Sequence, residues 1–231
     1  MKLISSFSNF LESTVNLNPT RVGVAKAGID TITEFLESDE IFCDKFIGTT
    51  PQGSFRQATI IKPVKSDQDF DVDLLFDLKS VDGWSPADYL TTLSEQFKAT
   101  KRYKDTVDTR GKSRCVTIDY ESDFHIDIIP AIELNGNKFI MNKETNLFES
   151  TDGDGYALWF EAQNGLAGDQ LIGAVRLMKY IRDKRSVFEA KSILLTTLLG
   201  MQVESTDSPP AKYPDLPTAF VTILGRLDQY S

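Results

Sequence analysis

The stretch GSFRQATIIKPVKSDQDFDVDLL, running from Gly53 to Leu75, decides how this chain reads. A Gly-Ser pair closes an extended segment, and Asp71 and Asp73 then stand in the alternation Phe70-Asp71-Val72-Asp73-Leu74. On a strand, side chains repeat with period two. This spacing therefore turns both carboxylates to one face and Phe70, Val72 and Leu74 to the other. Two like charges on neighbouring same-face positions repel and oppose each other's ionisation. A cation between them, usually Mg²⁺, relieves that repulsion by taking oxygen ligands.

A third carboxylate fits the same plan. Asp123-Phe124-His125-Ile126-Asp127-Ile128-Ile129-Pro130 also alternates, with His125 and Asp127 on one face and Phe124, Ile126 and Ile128 on the other. Pro130 has no N–H to donate and is expected to end this strand. If the strand lies beside the first, Asp127 joins Asp71 and Asp73 around two cations roughly 3.5–4 Å apart. One lowers the pKa of an attacking hydroxyl, and the other neutralises a leaving phosphate. The chemistry this implies is nucleotidyl transfer. His125, the single histidine, shares the acidic face and reads as a packing or hydrogen-bonding residue, or as a neighbour of the metals.

Bulk properties set the frame. The 231 residues suffice for one large domain or two intimate halves sharing a cleft. A net charge of −9 argues against a protein that coats DNA or RNA, so no stable nucleic-acid partner is expected. Residues 98–114 hold seven Lys or Arg and residues 176–191 hold six, and each stretch reads either as phosphate-facing or as a solvated face. Cys43 and Cys115 sit in apolar, strand-like contexts with no CxxC, and read as buried free thiols in a reducing cytoplasm rather than zinc ligands. The N-terminus lacks the pattern of a secretory signal, and no apolar run approaches the roughly 18–20 residues of a membrane span. The expected location is cytoplasmic, with no membrane partner.

Periodicity places two helices in the first 38 residues, with Phe7, Phe10 and Leu11 on one face of the first. Val22, Ala25, Ile29, Ile32, Phe35 and Leu36 stripe the second, and Thr20 is its expected N-cap. A strand is expected over 42–48, and a helix from Ser85-Pro86 to about Lys98. Strands follow at about 114–120 and 123–130, joined by a tight Glu121-Ser122 hairpin, with another near 138–141. From 156 onward the pattern is helical, over 156–163, 168–184, 186–203 and 214–229, with Ser205 to Pro214 as a proline-rich loop. The class is α+β. A mixed α/β half, 1–150, carries the acids, and a helical half, 151–231, faces it.

Gly-Ser, then Asp-x-Asp, then a distant lone Asp on a strand resembles the DNA polymerase β-like nucleotidyltransferase superfamily. Within it, QGSFRQAT, FDVDLLF and FHIDIIPA look like the bacterial cGAS/DncV-like nucleotidyltransferases (CD-NTases), and YPDLPTAFVTILGRLDQY looks like the helix these carry after their core. The resemblance touches Gln52 to Tyr230. It implies a polymerase β-like core with a C-terminal helical bundle and an active-site cleft between them. It also implies synthesis of a cyclic di- or trinucleotide from ATP and/or GTP in anti-phage signalling, with regulatory partner proteins from a defence operon. Two Mg²⁺ ions, or Mn²⁺ in their place, would be held by Asp71, Asp73 and Asp127. Backbone N–H groups at Gly53-Ser54 would cradle the triphosphate, and the Ser54 hydroxyl would add a donor. By the resemblance, Lys179 and Ser192 also reach it. An aromatic is expected to sandwich the base; Tyr156, Tyr180 and Phe188 are candidates that read equally as core.

Two further readings keep the core and change the outcome. One transfers nucleotides to an RNA end or a protein. The other binds nucleotide without turnover, although keeping all three aspartates speaks against it. Family members run on through another helical stretch, whereas this sequence stops at Tyr230-Ser231, which leaves open a trimmed, naturally shortened or fragmentary form. Base choice, linkage, ring size and oligomeric state do not follow from these residues.

Overall fold

The structure, a computed structural model, describes residues 3–65, 69–108, 111–120, 124–186, 188–207 and 209–229. The expected Glu121-Ser122 hairpin, Asp123, Arg110 and Tyr230 lie outside the described residues. The strands are β1 (Phe46–Gln52), β2 (Phe70–Leu78), β3 (Val116–Tyr120), β4 (Phe124–Leu134), β5 (Asn137–Asn142) and β6 (Leu147–Ser150). The helices are α1 (Ile4–Phe10), α2 (Pro19–Ser38), α3 (Gly53–Arg56), α4 (Pro86–Ala99) and α5 (Gly153–Leu166), then α6 (Leu171–Arg185), α7 (Ser192–Gly200), α8 (Pro209–Lys212) and α9 (Leu216–Asp228). Among the described residues no helix is long and apolar enough to cross a membrane.

Chain contacts divide the protein into two compact units. A sheet unit comprises Pro19–Gln52 and Asp69–Gly153; a helical unit comprises Met1–Asn18, Gly53–Gln68 and Asp154–Ser231. The last break falls between Gly153 and Asp154. Residues 1–18 and 53–68, however, group with the C-terminal segment.

In the sheet unit the order is β1-β2-β4-β5-β6, with β3 also on β4. β2 and β4 run parallel and the other pairs are antiparallel. Phe70, Val72, Leu74, Phe124, Ile126 and Ile128 are buried, as the alternation predicts. Gly28 of α2 lies over this apolar face, where an added Cβ would meet Ile126 at 3.2 Å and Tyr120 at 3.3 Å. Phe35 joins α2 to Phe97 of α4, their ring centroids 4.7 Å apart. The start of α4 is closed by Asp88, whose carboxylate accepts from the N–H and hydroxyl of Ser85 at 2.7 Å each.

Four local expectations are corrected. First, the strand expected from 42 begins only at Phe46. The Asp39 carboxylate accepts from the N–H groups of Ile41 and Phe42 and holds a turn there, which leaves Cys43 exposed. Cys115 is the buried thiol, pushed up to about 12 by burial and then by the nearby Asp127 charge. Second, Pro130 does not end its strand, because β4 continues to Leu134. On one side Pro130 faces Phe76; on the other, β3 pairing stops at Ile128 and β5 pairing starts at Ala131. The proline thus falls in the gap between the β3 and β5 pairings. Third, α2 starts at Pro19, so Thr20 lies within its first turn rather than capping it. Fourth, α7 begins at Ser192 rather than near 186. Ser186 ends α6 in the left-handed region (φ +50°), and Arg182 then binds the Ala190 carbonyl.

In the helical unit, α1 runs into a π-helical turn over Leu11–Val15, closed by Asn16 N–H donating to the Leu11 carbonyl at 2.7 Å. Val15 enters a core with Phe160, Val175, Leu195, Leu199 and Ile223. A buried polar lock ties its C-terminal part. Arg226 donates to both Asp207 oxygens at 2.7 and 2.9 Å and to the Gln202 carbonyl at 2.7 Å, while the Tyr213 hydroxyl bonds Asp207.

Candidate active site

Strand pairing brings the three predicted aspartates onto one face of the sheet unit. Asp73 is registered against Asp127 across the parallel β2–β4 pair, and Asp71 against His125. The row extends outward on both sides, because Gln52 of β1 faces Asp73 and Thr117 of β3 faces Asp127. Residues directly opposite point to the same side, so four polar side chains from four strands stand in line: Gln52, Asp73, Asp127 and Thr117. A shorter row beside it holds Asp71, His125 and Asp119.

The charges on this face are unevenly compensated. Asp127 is nearly buried, with 10% of its side chain exposed. One of its oxygens accepts from the Thr117 hydroxyl at 2.5 Å and the other from the Lys112 ammonium at 2.6 Å. His125 Nε2 lies 2.8 Å from Asp71, and this hydrogen bond holds the Asp71 carboxyl below its usual range and the imidazole above its own. Among the described residues Asp73 has no such hydrogen-bonded partner. Burial, then repulsion from Asp127 and Asp71, pushes it up to about 6. Lys112 is drawn down by burial, but its bond and attraction to Asp127 outweigh this and raise it.

Neither Lys112 nor Thr117 stood out from the sequence. Lys112 lies within the basic run 98–114, so the signal was present without a partner. That partner is supplied by β4, brought beside the segment by folding.

Three carboxylates on adjacent strands are all-oxygen donors, which suits Mg²⁺ or Mn²⁺. The excess negative charge felt by Asp73 is what a divalent cation would neutralise. As the side chains stand, no three His, Cys, Asp or Glu among the described residues are arranged to hold an ion. Donor chemistry and strand register fit the metals, while Lys112 and His125 engage oxygens that would serve them. Among the described residues, the buried Nε2 of Gln52 has no hydrogen-bond partner.

The four predicted nucleotide-binding residues all belong to the helical unit. Gly53 opens α3 at φ +59°, a left-handed conformation that favours glycine. The Ser54 carbonyl accepts from the N–H groups of Thr59 and Ile60 at 2.9 and 3.1 Å, so the corner folds back on itself. Lys179 of α6 is 3% exposed and donates to the Thr59 carbonyl and hydroxyl at 3.2 and 3.0 Å. Burial, then the Arg182 charge, pulls it down to about 8. Arg176, one turn earlier, donates to the Ala58 carbonyl at 2.7 Å and to Asn16 at 2.9 Å. These two cations of the second basic run are thus turned inward to hold the segment behind the Gly-Ser corner. Ser192 is the first residue of α7, and its hydroxyl lies 3.2 Å from Arg182. Of the aromatic candidates, Tyr180 and Phe188 pack against the helical core, and the Tyr156 hydroxyl lies 2.9 Å from that of Thr197.

Residues 1–164 match the family model of the Second Messenger Oligonucleotide or Dinucleotide Synthetase domain, SMODS. The chain belongs to this family. Among curated proteins, this SMODS chain is similar to the c-di-GMP synthase of Roseivirga ehrenbergii, 25% identical over 173 residues, 69% of this chain and 45% of the relative. It therefore spans less than half the length of that relative. Among solved structures it is similar to Vibrio cholerae DncV cyclic AMP-GMP synthase in complex with nonhydrolyzable GTP (TM-score 0.71, 18% identity, 98% of this chain and 78% of that chain). It is similar to Bradyrhizobium diazoefficiens CD-NTase CdnG in complex with GTP (0.73, 14%, 98% and 75%). It is also similar to CdnC of E. coli MS115-1 in a HORMA-deltaN complex (0.72, 18%, 97% and 70%). At these identities the likeness establishes the fold, which is that of the polymerase β-like CD-NTases, as the sequence implied.

Proposed function

We propose that this SMODS chain is a metal-dependent nucleotidyltransferase that condenses ATP and/or GTP into a cyclic di- or trinucleotide, releasing pyrophosphate, as a signal in anti-phage defence. The observation that carries the reading is the registered row of Gln52, Asp73, Asp127 and Thr117 with Asp71 beside it. The family, and a relative named for cyclic dinucleotide synthesis, support the product class.

Asp71, Asp73 and Asp127 would hold two Mg²⁺ ions, which when bound supply Lewis-acid stabilisation of the attacking and leaving oxygens. At each bond a ribose hydroxyl loses its proton to solvent and its oxygen attacks an α-phosphorus in line. The bond to the β-phosphate oxygen breaks, and pyrophosphate leaves with the electron pair. Asp127, oriented by Thr117, helps activate the acceptor hydroxyl. Gly53 and Ser54 offer N–H and O–H donors to the triphosphate, and Ser192 a further hydroxyl. Lys179 supports this corner through Thr59 and would reach phosphate only by leaving it. The HORMA complex of a CD-NTase supports a regulatory protein partner here too.

Incubation with radiolabelled ATP and GTP and Mg²⁺ or Mn²⁺, then phosphatase digestion and mass spectrometry, tests the reading beside an Asp71→Ala/Asp73→Ala control. A phosphatase-resistant cyclic product that disappears in the control is expected. Linear or acceptor-attached nucleotides would instead assign transfer to another acceptor, and absence of any product would leave nucleotide binding alone.

A further inference from the structure

We propose that Lys112 is a displaceable counter-ion of the acidic face, occupying the Asp127 oxygen that a divalent cation must win, so that metal affinity is set by this competition. The inference rests on the metal-dependent reading above.

Three observations carry it. Both Asp127 oxygens are already engaged, Oδ1 by the Thr117 hydroxyl and Oδ2 by the Lys112 ammonium. The two partners differ in kind. Thr117 is buried in β3 and registered opposite Asp127, so it is fixed, whereas the Lys112 side chain is 42% exposed and has water to swing into. A metal approaching Asp127 therefore meets one permanent partner and one removable partner.

The second observation is the neighbour of Lys112. Its Nζ lies 3.4 Å from His125 Nε2, and the same nitrogen lies 2.8 Å from Asp71 Oδ1. A nitrogen donating its proton to Asp71 has no lone pair left for Lys112. The ammonium is thus held by Asp127 and crowded by the imidazole, which makes it easier to displace.

The third is charge. An ammonium at 2.6 Å and a divalent cation on the same carboxylate would repel strongly across a partly desolvated face. While Lys112 stays, it keeps the nearly buried Asp127 paired and oriented. When a cation takes its place, the freed ammonium remains beside the site as a positive charge available to phosphate.

The test is a Mn²⁺ titration of the intact chain, without nucleotide, followed by the electron paramagnetic resonance signal of free Mn²⁺. Lys112→Gln, with Lys112→Ala as a second neutral variant, is expected to bind Mn²⁺ about tenfold more tightly than wild type, the size of an ordinary coupling between two sites. Lys112→Arg keeps the charge and is expected to match wild type. Asp73→Asn reports on the metal reading itself. If wild type binds Mn²⁺, Asp73→Asn loses it, and the neutral Lys112 variants bind no more tightly, the competition is overturned while the metal reading stands. If no protein in the series binds Mn²⁺, the metal reading fails and takes the competition with it. Circular dichroism confirms that each variant is folded.

Discussion

At the scale of single residues, the acidic face is a set of carboxylates with unequal partners. Asp71 has His125, Asp127 has Thr117 and Lys112, and Asp73 is pushed up by burial and by its two carboxylate neighbours. Thr117 holds Asp127 without bearing charge. If Asp127 holds a metal as proposed, Thr117→Val should lower turnover about tenfold, the usual cost of losing a group that orients a metal ligand, with substrate KM little changed. Initial rates of pyrophosphate release would measure this. On the proposed metal-dependent reading, Asp127→Asn should cost considerably more in the same assay, because it would remove a metal ligand rather than its support. The alternation around Asp71, Asp73 and Asp127 was legible in the sequence because period-two geometry is local. Lys112 and Thr117 were not, since their roles depend on which strand becomes the neighbour of β4.

At the scale of elements, helix α6 tethers the Gly-Ser corner, and its tether titrates. Lys179 has a folded value of about 8 against an ordinary 10.5, chiefly through burial. Between these values the unfolded chain holds the proton more tightly than the folded one, so stability rises with pH across that window. Urea midpoints at pH 8 and pH 10 should therefore rise for wild type relative to Lys179→Met, which lacks this titration. The α5–α7 contact offers a steric test. A Cβ at Gly200 would meet the Trp159 ring at 2.7 Å, closer than real Cβ contacts allow. Gly200→Val should destabilise by about 2 kcal/mol through overpacking, read from denaturant melts. Most of the elements themselves were legible: the stripe over α2, the Ser85-Pro86 start of α4 and the turn before β5 all carry local signals. The misplaced ends at 46 and 192 reflect side-chain bonds, Asp39 holding its turn and Arg182 holding Ala190, and the one at 130 reflects the gap between two strand pairings.

At the scale of the whole molecule, the chain crosses repeatedly between its two compact units. Residues 1–18 belong with α6 and α9, so a fragment ending at residue 153 would expose Phe7, Leu11 and Val15 without their partners. Such a fragment should bind a hydrophobic dye more strongly than the intact chain and run as larger aggregates on size exclusion. The Asp207–Arg226 lock governs acid stability in the helical unit. The Arg226 bond, then that of Tyr213, holds Asp207 well below the usual carboxylate range despite burial. Its contribution is thus fully present above about pH 4 and is lost only as pH falls through the depressed folded value. Asp207→Asn leaves Arg226 short of its counter-charge and should cost about 3 kcal/mol at pH 7. Melts at descending pH should show the gap from wild type closing only in strong acid.

By itself, the sequence determined the α+β class, the face that carries Asp71, Asp73 and Asp127, and a family resemblance that the comparisons support. These rest on strand periodicity and short motifs, which are properties of neighbouring residues. Only the tertiary structure decided that Gln52 and Thr117 extend the acidic row, that Lys112 is bound to Asp127, and that Lys179 is turned inward onto Thr59. Each of these joins residues 10 to 120 positions apart. Such pairings are fixed by which strands and helices pack together, because a buried charge or hydroxyl takes whatever partner the neighbouring element presents.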